Sequence, residues 1–161
     1  MENKSFTATI EVAQSPKEVF NAIKEVPKWW NNEDFEGRSA KLNDEFTIHH
    51  PGQHYSKQRL IEVVPDEKVV WLVTESELNW LKGNKEEWTD TKMIFEITSK
   101  DDKTALRFTH EGLIPEKECY AMCEQGWTMI TKDWLFHFIT TGTPSKEMRK
   151  AAEIRNRLLE E

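Results

Sequence analysis

PEKECYAMCEQGWTMITKDWLFHFITTG, residues 115–142, decides the fold, because no other stretch is long and periodic enough to be a full-length helix. Its apolar residues fall at Tyr120, Cys123, Trp127, Ile130, Trp134 and Phe138. Steps of three and four keep them on one face of a 3.6-residue helix, over about five turns. Pro115 suits the first turn, where its missing N–H costs nothing, and Glu116 and Glu118 place negative charge at the positive end of the helix dipole. Gly142, able to adopt the left-handed conformation, and Pro144 supply the stop. This aromatic face needs a partner, and what precedes it reads as strand.

Two hairpins stand out upstream. Tyr55 to Val64 and Val69 to Thr74 flank the turn Pro65-Asp66-Glu67-Lys68, and Thr91 to Thr98 and Thr104 to Glu111 flank Lys100-Asp101-Asp102-Lys103. Met93, Phe95 and Ile97 share one face of their strand, as do Leu106, Phe108 and His110 of theirs. Phe35 to Gly37 and Glu45 to His50 are shorter strands, punctuated by Pro51-Gly52. Hairpin connections mean an antiparallel sheet with one face covered. Glu75 to Trp88, charged but carrying Leu78, Trp80, Leu81 and Trp88, reads as a loop or irregular strand extension at the rim.

At the start, Phe6, Ala8, Ile10 and Val12 alternate with polar residues as in a half-buried strand. Ser15-Pro16-Lys17-Glu18 then has the serine, proline and glutamate of a capping box. Val19, Phe20 and Ile23 give that helix its buried side, and Pro27 ends it. Trp29 and Trp30 cannot both enter one core from a regular helix, which puts one of them at an opening or an edge. After Pro144, residues 145–161 form a charged tail with Met148, Ala151, Ala152, Ile154, Leu158 and Leu159 as a weak helical stripe.

With 161 residues the chain is sized for one domain, assigned to residues 1–144. A net charge of -7 argues against a phosphate-backbone partner. Met1 to Lys4 lead into a strand pattern without a secretory signal, and no apolar run is long enough to span a bilayer, so the expectation is cytoplasmic. Two cysteines, Cys119 and Cys123, do not make a disulfide framework.

Certain local strings recur in register. Trp29-Trp30 follows the capped helix, and Val64-Pro65-Asp66 precedes Val69-Val70-Trp71. Phe108-Thr109-His110-Glu111-Gly112-Leu113 then precedes Cys119, Gly126-Trp127 and Thr140-Thr141-Gly142. Together, over residues 5 to 144, they resemble the START-like (SRPBCC) superfamily, in the bacterial branch similar to the activator of the heat-shock chaperone ATPase. The resemblance implies an α+β helix-grip fold: an antiparallel sheet of six or seven strands closed around the long C-terminal helix, enclosing an apolar cavity. Fold does not fix function.

A ligand pocket there would be walled by Trp30, Trp71, Phe95, Phe108, Trp127, Ile130 and Trp134, with Tyr55, His110 and Glu111 as polar groups. The competing reading is ordinary core packing. His110 has Glu111 beside it, yet neighbours on a strand point to opposite faces, so His110 stands alone as a possible proton donor, or is bonded to a backbone carbonyl. His49, His50 and His54 read as a solvated hairpin end rather than a metal site. Cys119 and Cys123, one turn apart, read as small apolar groups rather than metal ligands. No phosphate loop, serine elbow or paired carboxylates appear, and no cofactor or catalytic residue is assigned. Three function classes follow: a cytoplasmic binding module for an apolar or amphipathic small molecule, a chaperone-associated protein, or a pocket enzyme of cyclase, dehydratase or hydrolase type. Monomer or weak dimer is expected.

Overall fold

A computed structural model describes residues 5–30, 35–50 and 54–148. The turn at Pro51-Gly52, the first four residues and the tail from residue 149 lie outside the described residues.

Ser15 accepts the Glu18 N–H on its hydroxyl while the Glu18 carboxylate accepts the Ser15 N–H, so α1 (Pro16–Ile23) starts at the capping box read from the sequence. Val19, Phe20, Ala22 and Ile23 form its buried side. A single 3₁₀ turn, Val26–Lys28, follows and takes Pro27 into it.

Seven strands form one antiparallel sheet in the order β1-β7-β6-β5-β4-β3-β2. They are β1 (Phe6–Val12), β2 (Phe35–Gly37), β3 (Glu45–His50), β4 (His54–Val64), β5 (Lys68–Leu78), β6 (Lys92–Lys100) and β7 (Lys103–Glu111). β5 runs four residues beyond the expected Thr74. A register shift near Lys57 and Gln58 leaves Thr74 without a partner in β4, which changes the phase of the alternation. Val73, Ser76 and Leu78 are therefore buried while Glu75 and Glu77 stay exposed.

The curved sheet closes on a C-terminal rod of 22 residues, as a helix-grip fold requires. The rod consists of α2 (Tyr120–Met129), a π-helical stretch (Ile130–Leu135) and α3 (Phe136–Thr141), with helical backbone throughout. Gly142, at φ 78°, ends it in the left-handed conformation and donates its N–H to Phe138 O at 2.8 Å. The wider π turn brings Thr131, Trp134 and Leu135 inward, and Ile130 is only half-buried.

The start of the rod differs from the sequence expectation. Residues 114–119 make turns, and the helix begins at Tyr120. The Glu118 carboxylate is turned to another segment rather than to the helix start. Glu87, from the segment after β5, accepts the N–H groups of Glu118 (3.3 Å) and Cys119 (3.0 Å), and Lys117 Nζ returns to Glu87 O at 2.7 Å. Glu118 in turn accepts the N–H groups of Lys82 and Gly83. Two segments thus hold each other by reciprocal carboxylate caps. Beyond Gly142, Ser145 and Met148 are buried, so the first residues of the tail lie against the fold.

Candidate functional site

Between sheet and rod lies a layer of aromatic rings. β5 supplies Trp71, β6 Phe95 and β7 Phe108, while the rod supplies Trp127. Their centroids are close: Trp71 to Phe95 is 4.7 Å, Phe95 to Phe108 5.1 Å, and Phe108 to Trp127 4.6 Å. Sheet and rod therefore meet ring to ring at this level. Offset and tilted pairs at such spacings add to the burial itself.

Both residues of the tryptophan pair belong to this layer, against the expectation that one would sit at an edge. Trp29 and Trp30 are 0% and 5% exposed. The chain has left regular helix geometry at the 3₁₀ turn, so successive side chains can enter the same core. Trp29 donates its indole N–H to Ile23 O at 3.2 Å and stacks on Trp71. Trp30 lies parallel to Trp71 at 6.0 Å and 3°, and tilts over Trp127 at 5.0 Å.

His110 is the polar centre of the layer. Trp127 Nε1 donates to its Nδ1 at 3.1 Å, which leaves the ring hydrogen on Nε2, directed at Thr91 Oγ1 at 2.8 Å. Thr91 passes its own hydrogen to Trp88 O at 2.5 Å. Every donor and acceptor in this chain is matched. Complete burial, with a smaller contribution from the nearby Lys117 charge, pushes the imidazole down to about 3. His110 is thus held neutral by two side chains, neither alone nor bonded to a backbone carbonyl. Glu111, on the other face of β7, is exposed.

Trp88 was legible only as an apolar point in a charged segment, yet it is 5% exposed and plugs the layer from the side. Its ring stacks on Trp127 and meets the edges of His54 and His110. Its indole N–H donates to Cys123 Sγ at 3.3 Å. The Cys119 thiol beside Cys123, and then Trp88, favour the Cys123 thiolate and hold its pKa below the ordinary value, while the same pairing and burial push Cys119 up.

Tyr55, grouped with the wall by sequence, faces away from it. It alternates along β4 with the buried Ser56 and Gln58, and its hydroxyl donates to Glu75 at 2.8 Å on the outer face. There it lines an open groove of about 820 Å³ together with Glu75, Glu77, Lys85 and Glu86. Trp134 is buried on the rod with its N–H unpartnered. The histidines near the hairpin end separate: His49 meets Tyr55 on the outside, and His54 meets Trp30 and Trp88 inside. Among the described residues no three His, Cys, Asp or Glu side chains are grouped as a metal would need, and no helix is long and apolar enough to cross a membrane.

The profile of the "Activator of Hsp90 ATPase homolog 1-like protein" family matches residues 13–138. The chain belongs to this family. Three solved structures share its fold at low identity. The Aha1 dimer of Colwellia psychrerythraea is 19% identical with a TM-score of 0.67, covering 86% of this chain and 97% of its own. CalU16 of Micromonospora echinospora is 18% identical with a TM-score of 0.61, over 94% and 83%. EF2215 of Enterococcus faecalis is 14% identical with a TM-score of 0.57, over 99% and 86%. No curated protein matches this chain in sequence. For this AHSA1-like chain, the family fixes a fold of ligand-binding type, and identity this low shows the fold alone.

Proposed function

We propose that the protein binds an apolar or amphipathic small molecule in the aromatic interior between sheet and rod. One observation supports this reading above the others. In a layer where His110, Thr91, Trp88, Trp127 and Trp29 all have partners, Trp71 Nε1 and Gln58 Oε1 are buried with none. Unmatched buried polar atoms are costly, and a guest that meets them recovers that cost. Because the rings touch, uptake requires one of them to move. Trp30 is the ring for this, since it is carried by neither the sheet nor the rod, whereas Trp88 is held by the caps at Glu87 and Glu118.

Native mass spectrometry of the protein from cells, followed by displacement of an environment-sensitive dye, tests the reading. Co-purifying mass that extraction into solvent removes supports it. A ligand-free protein that takes up no dye and none of a panel of aromatic and lipid-like compounds ends it.

A chaperone contact is the second reading. It is motivated by the family's description and by Met122 and Met129, which are 61% and 41% exposed on the outward side of α2. Pull-down with a bacterial Hsp90-type chaperone and an ATPase assay decide it; neither binding nor stimulation would remove it.

A further inference from the structure

Gln58 and Trp71 sit at diagonal positions on the inner side of β4 and β5, where Leu60 pairs with Trp71 and Gln58 with Val73. Diagonal neighbours lie roughly 7–8 Å apart, within reach of long side chains. Both residues are fully buried. An indole N–H can only donate, and that of Trp71 has no acceptor; the Gln58 carbonyl can accept, and has no donor. They do not meet each other.

The rest of the Gln58 carboxamide is already engaged. Nε2 donates to Ser56 Oγ at 2.6 Å, and Ser56 Oγ is joined to His54 Nε2 at 2.8 Å. Turning the carboxamide over leaves Nε2 unmatched in place of Oε1, so one amide end lacks a partner in either orientation.

We infer that Gln58 and Trp71 form the polar end of the guest site and select a flat apolar molecule bearing a hydroxyl, a phenol or an aromatic alcohol. The inference rests on the small-molecule reading above. A hydroxyl oxygen accepts from Trp71 Nε1 while its hydrogen goes to Gln58 Oε1, so one group satisfies both atoms. An ether takes only the indole hydrogen. A carboxylate finds no counter-charge, since the buried polar side chains among the described residues include no lysine or arginine and His110 is neutral. Trp30, parallel to Trp71, marks the plane in which a flat ring lies.

The test uses the full chain with three probes of nearly equal shape: 2-naphthol, 2-methoxynaphthalene and naphthalene. Affinities come from calorimetry, and the Trp71 indole N–H resonance is assigned by its loss in Trp71→Phe. The expected result is 2-naphthol binding about tenfold more tightly than 2-methoxynaphthalene, with a downfield shift of that resonance. Gln58→Met, similar in size and without the carbonyl, should erase the preference for 2-naphthol and leave naphthalene unchanged. Equal affinity for all three probes overturns the subsite while keeping the small-molecule reading. An unmoved Trp71 resonance with a magnetisation transfer peak from water shows that solvent fills the gap, and overturns it too. No uptake of any probe overturns both.

Discussion

Trp127 Nε1 donates its hydrogen to His110 Nδ1 at 3.1 Å, which ties the rod to β7 and fixes the imidazole as neutral. A second ring proton would face the indole N–H donor to donor. Burial lowers the folded pKa from an ordinary 6.5 to about 3, so between those values the unfolded chain binds a proton that the folded one refuses. The stabilisation is complete above pH 6.5 and is lost as pH falls toward 3, by at most about 1.4 kcal/mol per pH unit. His110→Gln keeps an acceptor for Trp127 and a donor for Thr91 without titrating. Urea unfolding at pH 7, 6, 5 and 4 should show a shallower decline in this variant than in the parent; parallel declines would contradict a neutral His110.

Glu87 caps the rod from 32 residues upstream in sequence. Removing a side chain that caps a helix start costs about 1 kcal/mol. Glu87→Ala should therefore lower stability by about that amount, and should raise hydrogen exchange at the amides of Glu118 and Cys119 more than elsewhere on the rod. Glu118→Ala acts on the other half of the clasp and should expose the amides of Lys82 and Gly83 instead. Exchange unchanged at these four positions would show that the caps do not hold the two segments together.

What the sequence made legible was local. The capping box at Ser15 and Glu18, the alternation of β1 and the left-handed stop at Gly142 each depend on residues within a few positions of one another. The start of the rod lies later than the sequence pattern placed it because residues 114–119 make turns and the N–H groups of Glu118 and Cys119 are capped by Glu87, from a distant segment. Tyr55 was misassigned because β4 turns Ser56 and Gln58 inward, so hydropathy pointed the wrong way. The length of β5 was hidden by the bulge at Thr74, and the burial of both Trp29 and Trp30 by a 3₁₀ turn that no helical periodicity announces. Trp88 had a signal, an aromatic inside a charged stretch, but its direction depends on the tertiary clasp.

Gly112 ends β7 at φ +101°, and a Cβ there would stand 2.7 Å from Thr91 Cγ2. Thr91 is the residue that receives the His110 ring hydrogen. Gly112→Ala combines backbone strain with a steric push on that hydrogen-bond chain, and should cost on the order of 1–3 kcal/mol. Thr91→Ser removes the obstructing methyl and keeps the hydroxyl. The double variant should recover part of the loss, read from denaturant midpoints; no recovery would assign the whole cost to the backbone.

Cys123 and Cys119 differ in environment although one turn separates them. Cys123 receives a hydrogen bond from Cys119 and another, at 3.3 Å, from Trp88 Nε1, and these hold its pKa below the ordinary 9.0 against the opposing effect of burial. Cys119 is fully buried, and its pairing with Cys123, its burial and the Glu87 charge all push it upward. Iodoacetamide reacts with thiolate, so Cys123 should be alkylated first in the native protein, with a rate midpoint below pH 9. Trp88→Phe keeps a ring in the layer and removes the N–H donor. It should move the midpoint upward, whereas a change in access alone would scale the rate at every pH and leave the midpoint in place. Peptide mass spectrometry separates the two sites, and alkylation of Cys119 ahead of Cys123 would overturn the assignment of the thiolate.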